Sequence, residues 1–243
     1  ALSQLSGPLL LSVLGAEGDQ GFWFGTALLI GGSLLLLGRS GAPKVDQHSA
    51  SGRGLLPFCQ RLPAIAWAVV LFAAFEGMVL TLLPIYGLQQ GFTQQEALLM
   101  ASVVVIGDAL LQLPLGWLAD RLSRRLLFAG CGLVLTLSSL AIPPLLHEQA
   151  IWPVLVLFGA SAGGLFTLAL IMIGEHFRDD ALVRANAHVA QLWGLGCLVG
   201  PLLTGAATQW LTGHALPLLM ALGAAGFVVV VWRRPPFAQD QQA

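Results

Sequence analysis

"PLGWLADRLSRRLLF" covers residues 114–128 and places one acid and three arginines, Asp120, Arg121, Arg124 and Arg125, within six residues. This density of charge is unusual for the chain, because only 9% of its 243 residues are charged and 56% are hydrophobic. A soluble domain carries about 25% charged residues. Long apolar runs lie on both sides of the charged stretch, and they must be helices because the bilayer offers no partner for unpaired backbone groups. The sequence therefore predicts an all-α polytopic membrane protein in which the charged stretch is a loop.

The composition argues against several other classes of function. A net charge of −1 and the lack of a basic tract argue against nucleic acid as a partner. Cys59, Cys131 and Cys197 are isolated and lack the spacing of a zinc site or a disulfide framework, so neither a metal nor a cofactor is predicted. Ser161, within GASAGG, resembles the nucleophile of an intramembrane serine protease, but Ala162 replaces the glycine that should follow it. No paired base is evident in the sequence, and an enzyme is therefore not predicted.

Eight apolar stretches predict the membrane helices, at about 1–15, 22–37, 62–83, 97–117, 127–146, 151–173, 187–210 and 216–232. The connections between them alternate in charge. All eleven Lys and Arg residues lie in 38–61, in 118–126, in 174–186 or in the tail from Arg233. The other connections hold no Lys or Arg. The positive-inside rule then predicts that the basic connections and the C-terminus are cytoplasmic.

Composition divides the chain into four parts. Residues 1–37 are predicted to be the last two helices of an N-terminal bundle, 38–61 a cytoplasmic linker, 62–232 a C-terminal six-helix bundle and 233–243 a cytoplasmic tail. The linker is rich in small polar residues, which is typical of a flexible connection. The first apolar run is shorter than the roughly 20 residues that a spanning helix needs. We therefore expect a truncated first helix and, as a partner of this chain, further N-terminal helices of the same protein.

The charged stretch also resembles a known signature. "GWLADRLSRR", 116–125, is similar to the loop of the major facilitator superfamily, approximately G-x-L-A-D-R-x-G-R-R, with Ser123 where the family usually has Gly. "FEGMVLTLLPIYGLQQG", "LLQLPLGWLADR" and "IGEHF" further resemble the YcaD-like branch of this family. The resemblance implies secondary active transport of a small solute by alternating access, with proton coupling. It also implies lipid bilayer and solute as partners, and the bacterial inner membrane as the location.

The resemblance assigns the charged loop a role as a conformational latch at the cytoplasmic ends of the helices. Its members are Gly116, Asp120, Arg121, Arg124 and Arg125. Glycine allows close approach of helices, and the guanidinium groups supply donors for carboxylates and for helix C-terminal carbonyls. We add Glu175 as a partner for Arg121 or Arg124, because it lies at the cytoplasmic end of its predicted helix. The alternative is that the arginines only anchor the topology by facing lipid headgroups.

Five polar residues within the predicted helices are candidates for substrate binding or proton coupling: Glu76, Asp108, Gln112, His188 and Gln191. A charge at the bilayer centre costs at least about 2.5 kcal/mol on insertion scales, so such residues usually face a cavity. Glu76 is the strongest candidate, because in the family the first helix of each half lines the central cavity. The alternatives are a protonated carboxyl that only hydrogen-bonds a neighbouring helix and, for His188, a packed side chain without a ligand role.

Four further residues are predicted to let one helix pack closely and bend: Gly196, Gly200, Pro201 and Gly205. Close packing without bending is an equally good interpretation of them. Three classes of function remain, namely a secondary transporter, a polytopic intramembrane enzyme and a non-transporting membrane subunit. The charged loop favours the transporter. The sequence does not identify the solute, because the cavity would be shared with the expected N-terminal helices.

Overall fold

The computed structural model describes residues 26, 27, 30, 31, 34, 54–119, 121–210 and 213–233. The predicted helix at 1–15, most of the linker, Asp120 and the tail after Arg233 lie outside the described residues. The five described residues of the stretch 22–37 are helical. Residues 1–52 and residues 53–243 form two separate compact units.

All regular secondary structure in the described part of the chain is α-helical, which confirms the predicted fold class. In the larger unit the helices are α1 (Leu55–Arg61), α2 (Pro63–Thr81), α3 (Leu83–Gln89), α4 (Gln94–Ala119), α5 (Arg124–Leu145), α6 (Ile151–His176), α7 (Asp179–Ala207) and α8 (Ala215–Arg233). Of the described helices, α2, α5, α6, α7 and α8 are long and apolar enough to cross a membrane. Helix α4 has 26 residues, as many as α6.

Three helix boundaries differ from those that hydrophobicity predicts. Residues 55–61, the end of the predicted linker, form the short helix α1, whose Phe58 is buried. The predicted helix 62–83 is divided into two: α2 ends at Thr81 and α3 begins at Leu83. Pro84, in the first turn of α3, has no amide hydrogen and so cannot donate the hydrogen bond that a continuous helix would need at this position. Helix α7 begins at Asp179 instead of 187, since charged residues extend its first turns beyond the apolar core.

The helices alternate in direction, so their ends collect at two levels. One level, which we call the basic end, carries Arg121, Arg124, Arg125, Arg178 and Arg233. The other level, the opposite end, carries His147 in the turn after α5 and His214 in the turn before α8. Among the residues that the structure describes, no Lys or Arg lies at the opposite end.

Helix α2 lies at the centre of the bundle and packs against α6, α7 and α8, while α4 packs mainly against α6 and α5 against α6 and α8. Small residues set the closest approaches. A side chain at Gly159 of α6 would overlap the Val104 carbonyl oxygen of α4, and one at Gly107 of α4 would overlap the Val156 carbonyl oxygen. Close backbone contact of this kind is how membrane helices associate when lipid is as apolar as the helix surfaces.

Candidate functional site

The basic end is connected by an ion pair between α5 and α6. Arg124, in the first turn of α5, contacts the carboxylate of Glu175, in the last turn of α6. The Arg124 side chain is 26% exposed and that of Glu175 is 50% exposed. The structure thus pairs Glu175 with Arg124 and not with Arg121, and the two partners belong to the same bundle.

The other two arginines of the charged loop contact tryptophans. The Arg121 guanidinium lies 3.9 Å from the ring centroid of Trp117, one turn earlier in the chain. Arg125 donates from Nη2 to the Trp232 carbonyl oxygen at 2.9 Å, in the last turn of α8. Helix C-terminal carbonyls carry partial negative charge, so a guanidinium there satisfies an orphan acceptor. Arg125 therefore connects the start of α5 to the end of α8.

Two glycines predicted to allow close helix contact do not show it. Apart from the chain neighbours and the backbone of the same helix, no heavy atom of the described residues lies within 4 Å of the position that a Cβ would take at Gly116 or at Gly205. Asp120 lies outside the described residues, so the structure gives no partner for it.

Glu76 lies on α2, at the face that meets α7. At 1.5 Å per residue it is about 20 Å along the helix from Pro63 and about 8 Å from Thr81, and so past the middle of α2. Cys197 of α7 packs on the preceding turn of α2. The Cys197 sulfur in turn donates to the Ala73 carbonyl oxygen at 3.6 Å. Glu76 is half-buried and lies one helical turn beyond this contact.

An aromatic cluster lies one helical turn from Glu76. It consists of Phe72 on α2, Phe166 on α6 and Trp193 on α7. The Phe72 and Phe166 rings stack with centroids 5.0 Å apart, and the Trp193 ring meets each of them edge-on at 5.5 and 4.8 Å. Phe166 and Trp193 remain half-buried, whereas Phe72 is buried. Three helices therefore contribute an aromatic surface one turn from Glu76, the single acid of α2.

Asp108 and Gln112 form a second polar position on a different helix pair. The Gln112 side-chain amide donates to the Asp108 carboxylate at 3.3 Å, one turn apart on α4. The Asp108 carboxylate lies directly against Gly163 of α6, where a Cβ would overlap its Oδ1. Asp108 therefore packs against α6.

His188 and Gln191 contact each other on α7, with His188 Nδ1 and Gln191 Oε1 3.2 Å apart. The His188 ring also packs against Phe58 of α1, with centroids 5.2 Å apart. His188 therefore connects α7 to the helix that precedes the bundle. Gln191 is exposed on the surface of α7.

The predicted packing glycines of α7 meet α2. A side chain at Gly196 would lie 2.7 Å from the Ala73 Cβ, and one at Gly200 would lie 2.7 Å from the Ala74 Cα. Pro201 lies against Gly77, 3.2 Å from the position of its absent Cβ. These contacts allow the α2 and α7 backbones to approach closely next to Glu76.

Several contacts gave little or no signal in the sequence. The aromatic cluster joins residues that are 27 to 121 positions apart, and nothing in their spacing distinguishes them from lipid-facing residues. At the opposite end, the Tyr86 hydroxyl lies 3.0 Å from His214 Nδ1, and the Phe92 and His147 rings stack at 5.2 Å.

Neither a metal centre nor a serine nucleophile is apparent in the described part of the chain. It contains no group of three His, Cys, Asp or Glu residues that is arranged to hold a metal ion. The Ser161 hydroxyl is buried and donates to the Phe158 carbonyl oxygen of its own helix at 3.1 Å. The hydroxyl proton of Ser161 is therefore already used in a hydrogen bond within α6.

These features define a polytopic integral membrane protein with acids at membrane depth and arginine contacts that join its helix ends. The profile of the Major Facilitator Superfamily matches residues 65–243, and the chain belongs to this superfamily.

The curated relatives agree with this assignment. An uncharacterized MFS-type transporter of Yersinia enterocolitica is 28% identical over 166 residues, which is 68% of this chain and 42% of the relative. The uncharacterized MFS-type transporter YcaD of Escherichia fergusonii is 28% identical over 145 residues, 60% of this chain and 37% of the relative. An uncharacterized MFS-type transporter of an Enterobacter strain is 27% identical over 158 residues, covering 65% and 41%. The chain spans about two-fifths of the length of the curated relatives it matches.

Proposed function

We propose that the complete protein is a secondary transporter that moves a small solute by alternating access, with proton coupling through Glu76. Membership of the superfamily supports a membrane transporter in general. The observation that carries the finer proposal is the position of Glu76, one helical turn from the aromatic cluster of Phe72, Phe166 and Trp193.

The cost of an ionisable group in hydrocarbon supports a functional role for Glu76. Burial favours the neutral form of a carboxyl, whereas water or a cationic solute favours the charged form. When the transporter changes the side of the membrane to which it opens, such a carboxyl passes from one environment to the other and takes up or releases a proton. The neighbouring aromatic surface suits a solute that has an apolar part beside a polar or cationic one, since aromatic faces attract cations.

The contacts of α7 support a movement of this helix relative to α2. Gly196 and Gly200 place the α7 backbone against α2, and Pro201 removes one backbone donor from α7 at the same level. Helices interrupted in this way are where transporters bend or rock. Gln191 is exposed on α7, and we assign it together with His188 to the solute pathway.

We assign a latch role to the contacts at the basic end. Arg124 with Glu175, and Arg125 with the Trp232 carbonyl, join three helices whose relative positions would have to change if the ends opened. We further propose that Asp120 completes this network. The charge distribution supports placing the basic end and the C-terminus in the cytoplasm and the protein in a bacterial inner membrane.

The two other classes of function have less support. The relatives are named as transporters, and the Ser161 hydroxyl donates to a carbonyl oxygen of its own helix, so it is not placed as a free nucleophile. A non-transporting subunit would not require an acid beside an aromatic surface at membrane depth.

The direct test is solute uptake into proteoliposomes that contain the protein encoded by the complete gene. A panel of radiolabelled amines, sugars and organic acids is offered with and without an imposed pH gradient. The proposal predicts uptake of at least one solute that rises with the gradient and collapses with a protonophore. Solute that is hydrolysed without being accumulated would favour an enzyme, and the absence of any flux across a broad panel would favour a subunit.

A further inference from the structure

Helix α3 is held at the opposite end by a contact between a tyrosine and a histidine that are 128 positions apart. The Tyr86 hydroxyl oxygen of α3 lies 3.0 Å from Nδ1 of His214, in the turn before α8, and the two rings meet edge-on with centroids 5.9 Å apart. On its other side α3 packs on α4, where a Cβ at Gly87 would lie 3.0 Å from the Ala97 Cβ. The contact with His214 therefore joins α3 to a part of the bundle that is distant in the chain.

The burial of Tyr86 determines the direction of this hydrogen bond. Tyr86 is only 4% exposed, and a buried hydroxyl hydrogen needs an acceptor. Within the described ranges, the hydroxyl has no hydrogen-bond partner other than His214 Nδ1. Tyr86 is therefore the donor, and His214 is the tautomer that carries its hydrogen on Nε2. Burial raises the pKa of Tyr86 to about 12, so the phenol stays protonated at physiological pH.

Protonation of His214 conflicts with this arrangement. Histidine changes its charge between about pH 5 and pH 8, and the imidazolium carries a hydrogen on both ring nitrogens. A hydrogen on Nδ1 would point at the hydrogen of the Tyr86 hydroxyl. If the phenol turned its hydrogen away to accept from Nδ1, that hydrogen would lose its acceptor in a buried position, which costs about as much as the bond contributes.

The second histidine of this end makes a contact that tolerates protonation. His147 stacks on Phe92, in the turn between α3 and α4, with the ring planes 4° apart and the centroids 5.2 Å apart. Because an aromatic face attracts a cation, a positive charge on His147 does not weaken this stack. A loss of the α3 contact in acid is therefore expected from His214 and not from His147.

Acids do not compensate a charge on His214 in the part of the chain that the structure describes. The acids at the opposite end are Glu96, in the first turn of α4, and Glu148, in the turn after α5, and neither forms an ion pair with His214. The turn before α8 and α8 itself contain no acid, and Glu76 of α2 lies about two turns before the start of α3. The side chain that lies against Gly213, next to His214, is the neutral amide of Gln90.

We propose that the Tyr86–His214 contact is a pH-sensitive clasp, which holds α3 to the turn before α8 while His214 is neutral and releases α3 when His214 is protonated. Helix α3 follows α2 after a single residue, and α2 carries Glu76. Acid at the opposite end would thus loosen the chain next to the helix of the proposed coupling site. That consequence rests on the proposed transport function, whereas the clasp itself depends on two side chains.

Hydrogen exchange of α3 in the full chain, reconstituted in lipid nanodiscs, tests the clasp at about pH 8 and about pH 5. Tyr86→Phe is measured in parallel, because it removes the hydroxyl alone and because comparison at one pH cancels the pH dependence of the chemical exchange rate. At the higher pH we expect α3 to be protected about fivefold more strongly in the unmodified protein than in Tyr86→Phe, as for one ordinary hydrogen bond. At the lower pH this difference should disappear.

Two histidine variants separate the clasp from other effects of pH. His214→Asn keeps an acceptor oxygen near the position of Nδ1 but does not titrate, so α3 should stay protected at both pH values. His147→Phe keeps the ring stack on Phe92, and it should lose protection in acid as the unmodified protein does.

A spectroscopic probe follows the hydrogen bond itself. Tyr86 is the single tyrosine of the chain, so an isotopic label on the tyrosine ring gives one NMR signal. The chemical shift of this signal should follow the same titration in the unmodified protein and in His147→Phe. It should not change with pH in His214→Asn.

Four results would overturn the inference. A difference between the unmodified protein and Tyr86→Phe that is equal at both pH values would exclude a pH-sensitive contact. Stronger protection in acid would make His214 the donor. A full pH response in His214→Asn, or its loss in His147→Phe, would assign the response to another group. All of these measurements are made without solute, so a failure of the clasp is distinguishable from a failure of the proposed transport, which appears only in uptake.

Discussion

Glu175, in the last turn of α6, forms an ion pair with Arg124, in the first turn of α5, so that the ends of two antiparallel helices are joined at the basic end of the bundle. Both partners are partly exposed, and the pair therefore contributes only about 0.2–1 kcal/mol to stability. Such a contact is weak enough to break during a conformational cycle. Its expected importance lies in transport and not in folding.

Reversing the pair tests this role. Arg124→Glu and Glu175→Arg alone should each slow solute uptake several-fold while changing the unfolding free energy by less than about 1 kcal/mol. The double variant, in which the charges are exchanged, should regain most of the lost uptake, because attraction is restored. Glu148→Gln, at an exposed acid of the opposite end, serves as the control and should transport normally. Normal uptake by both single variants would show that the pair only anchors the helix ends.

The contact between Asp108 and Gly163 leads to a prediction about stability. Gly163→Ala should destabilise the protein by about 1–3 kcal/mol, because the new methyl group would overlap the Asp108 carboxylate. Asp108→Ala should relieve part of this loss in the double variant. Gly174→Ala is the matched control on the same helix, since nothing lies within 4 Å of its Cβ position, and it should leave stability unchanged or raise it by about 0.5–1 kcal/mol.

Thermal unfolding in detergent, followed by circular dichroism, measures these changes. Equal effects of Gly163→Ala and Gly174→Ala would contradict the close approach of α4 and α6.

Much of the basic end could be predicted from the sequence, because position along a membrane helix determines depth. The ends of α5 and α6 had to lie at one level, and only a few residues there carry charge, so Arg124 and Arg121 were the available partners for Glu175. Depth does not determine which side of a helix faces its neighbours. These helices are apolar all round, and the usual contrast between a core face and a solvent face is lost. The cluster of Phe72, Phe166 and Trp193 could not be found for this reason.

Local chemistry explains the other discrepancies. The small polar composition of the linker predicts a flexible connection up to residue 61, yet residues 55–61 form α1, in which the Phe58 ring is buried. The apolar stretch of α7 begins later than the helix itself because Asp179, Asp180 and Arg184 lie in the first turns of the helix. Acids in a first turn are favourable, since they complement the positive end of the helix dipole.

The start of α4 leads to a prediction about pH. Thr93 and Glu96 form a capping box, in which the Thr93 amide donates to Glu96 Oε2 at 2.9 Å and the Glu96 amide donates to the Thr93 hydroxyl at 3.3 Å. The amide and hydroxyl of Thr93 lower the pKa of Glu96 below its ordinary value. The stabilisation by this carboxylate is therefore present above the unfolded-state pKa of about 4.3 and is lost as the pH falls through the lower folded-state pKa.

Hydrogen exchange of the first turn of α4, measured between pH 3 and pH 6, checks this expectation. The first turn of α4 should be better protected from exchange in the unmodified protein than in the Glu96→Gln variant, and this difference should decrease as the pH falls below about 4.3. Glu148→Gln again provides the control, because Glu148 lies outside the capping box. A difference between the Glu96→Gln variant and the unmodified protein that stays constant over this range would contradict the capping role of the carboxylate.

The proposal of proton-coupled transport rests mainly on Glu76, and its most direct test is uptake by the Glu76→Gln variant of the complete protein. Solute accumulation is measured in proteoliposomes with and without an inward pH gradient, with Glu96→Gln as the matched control for an exposed acid. We predict that Glu76→Gln loses the dependence on the gradient while it still inserts and exchanges solute at equilibrium, and that Glu96→Gln keeps the full gradient dependence. Full uptake by Glu76→Gln with an unchanged response to the gradient would contradict the account.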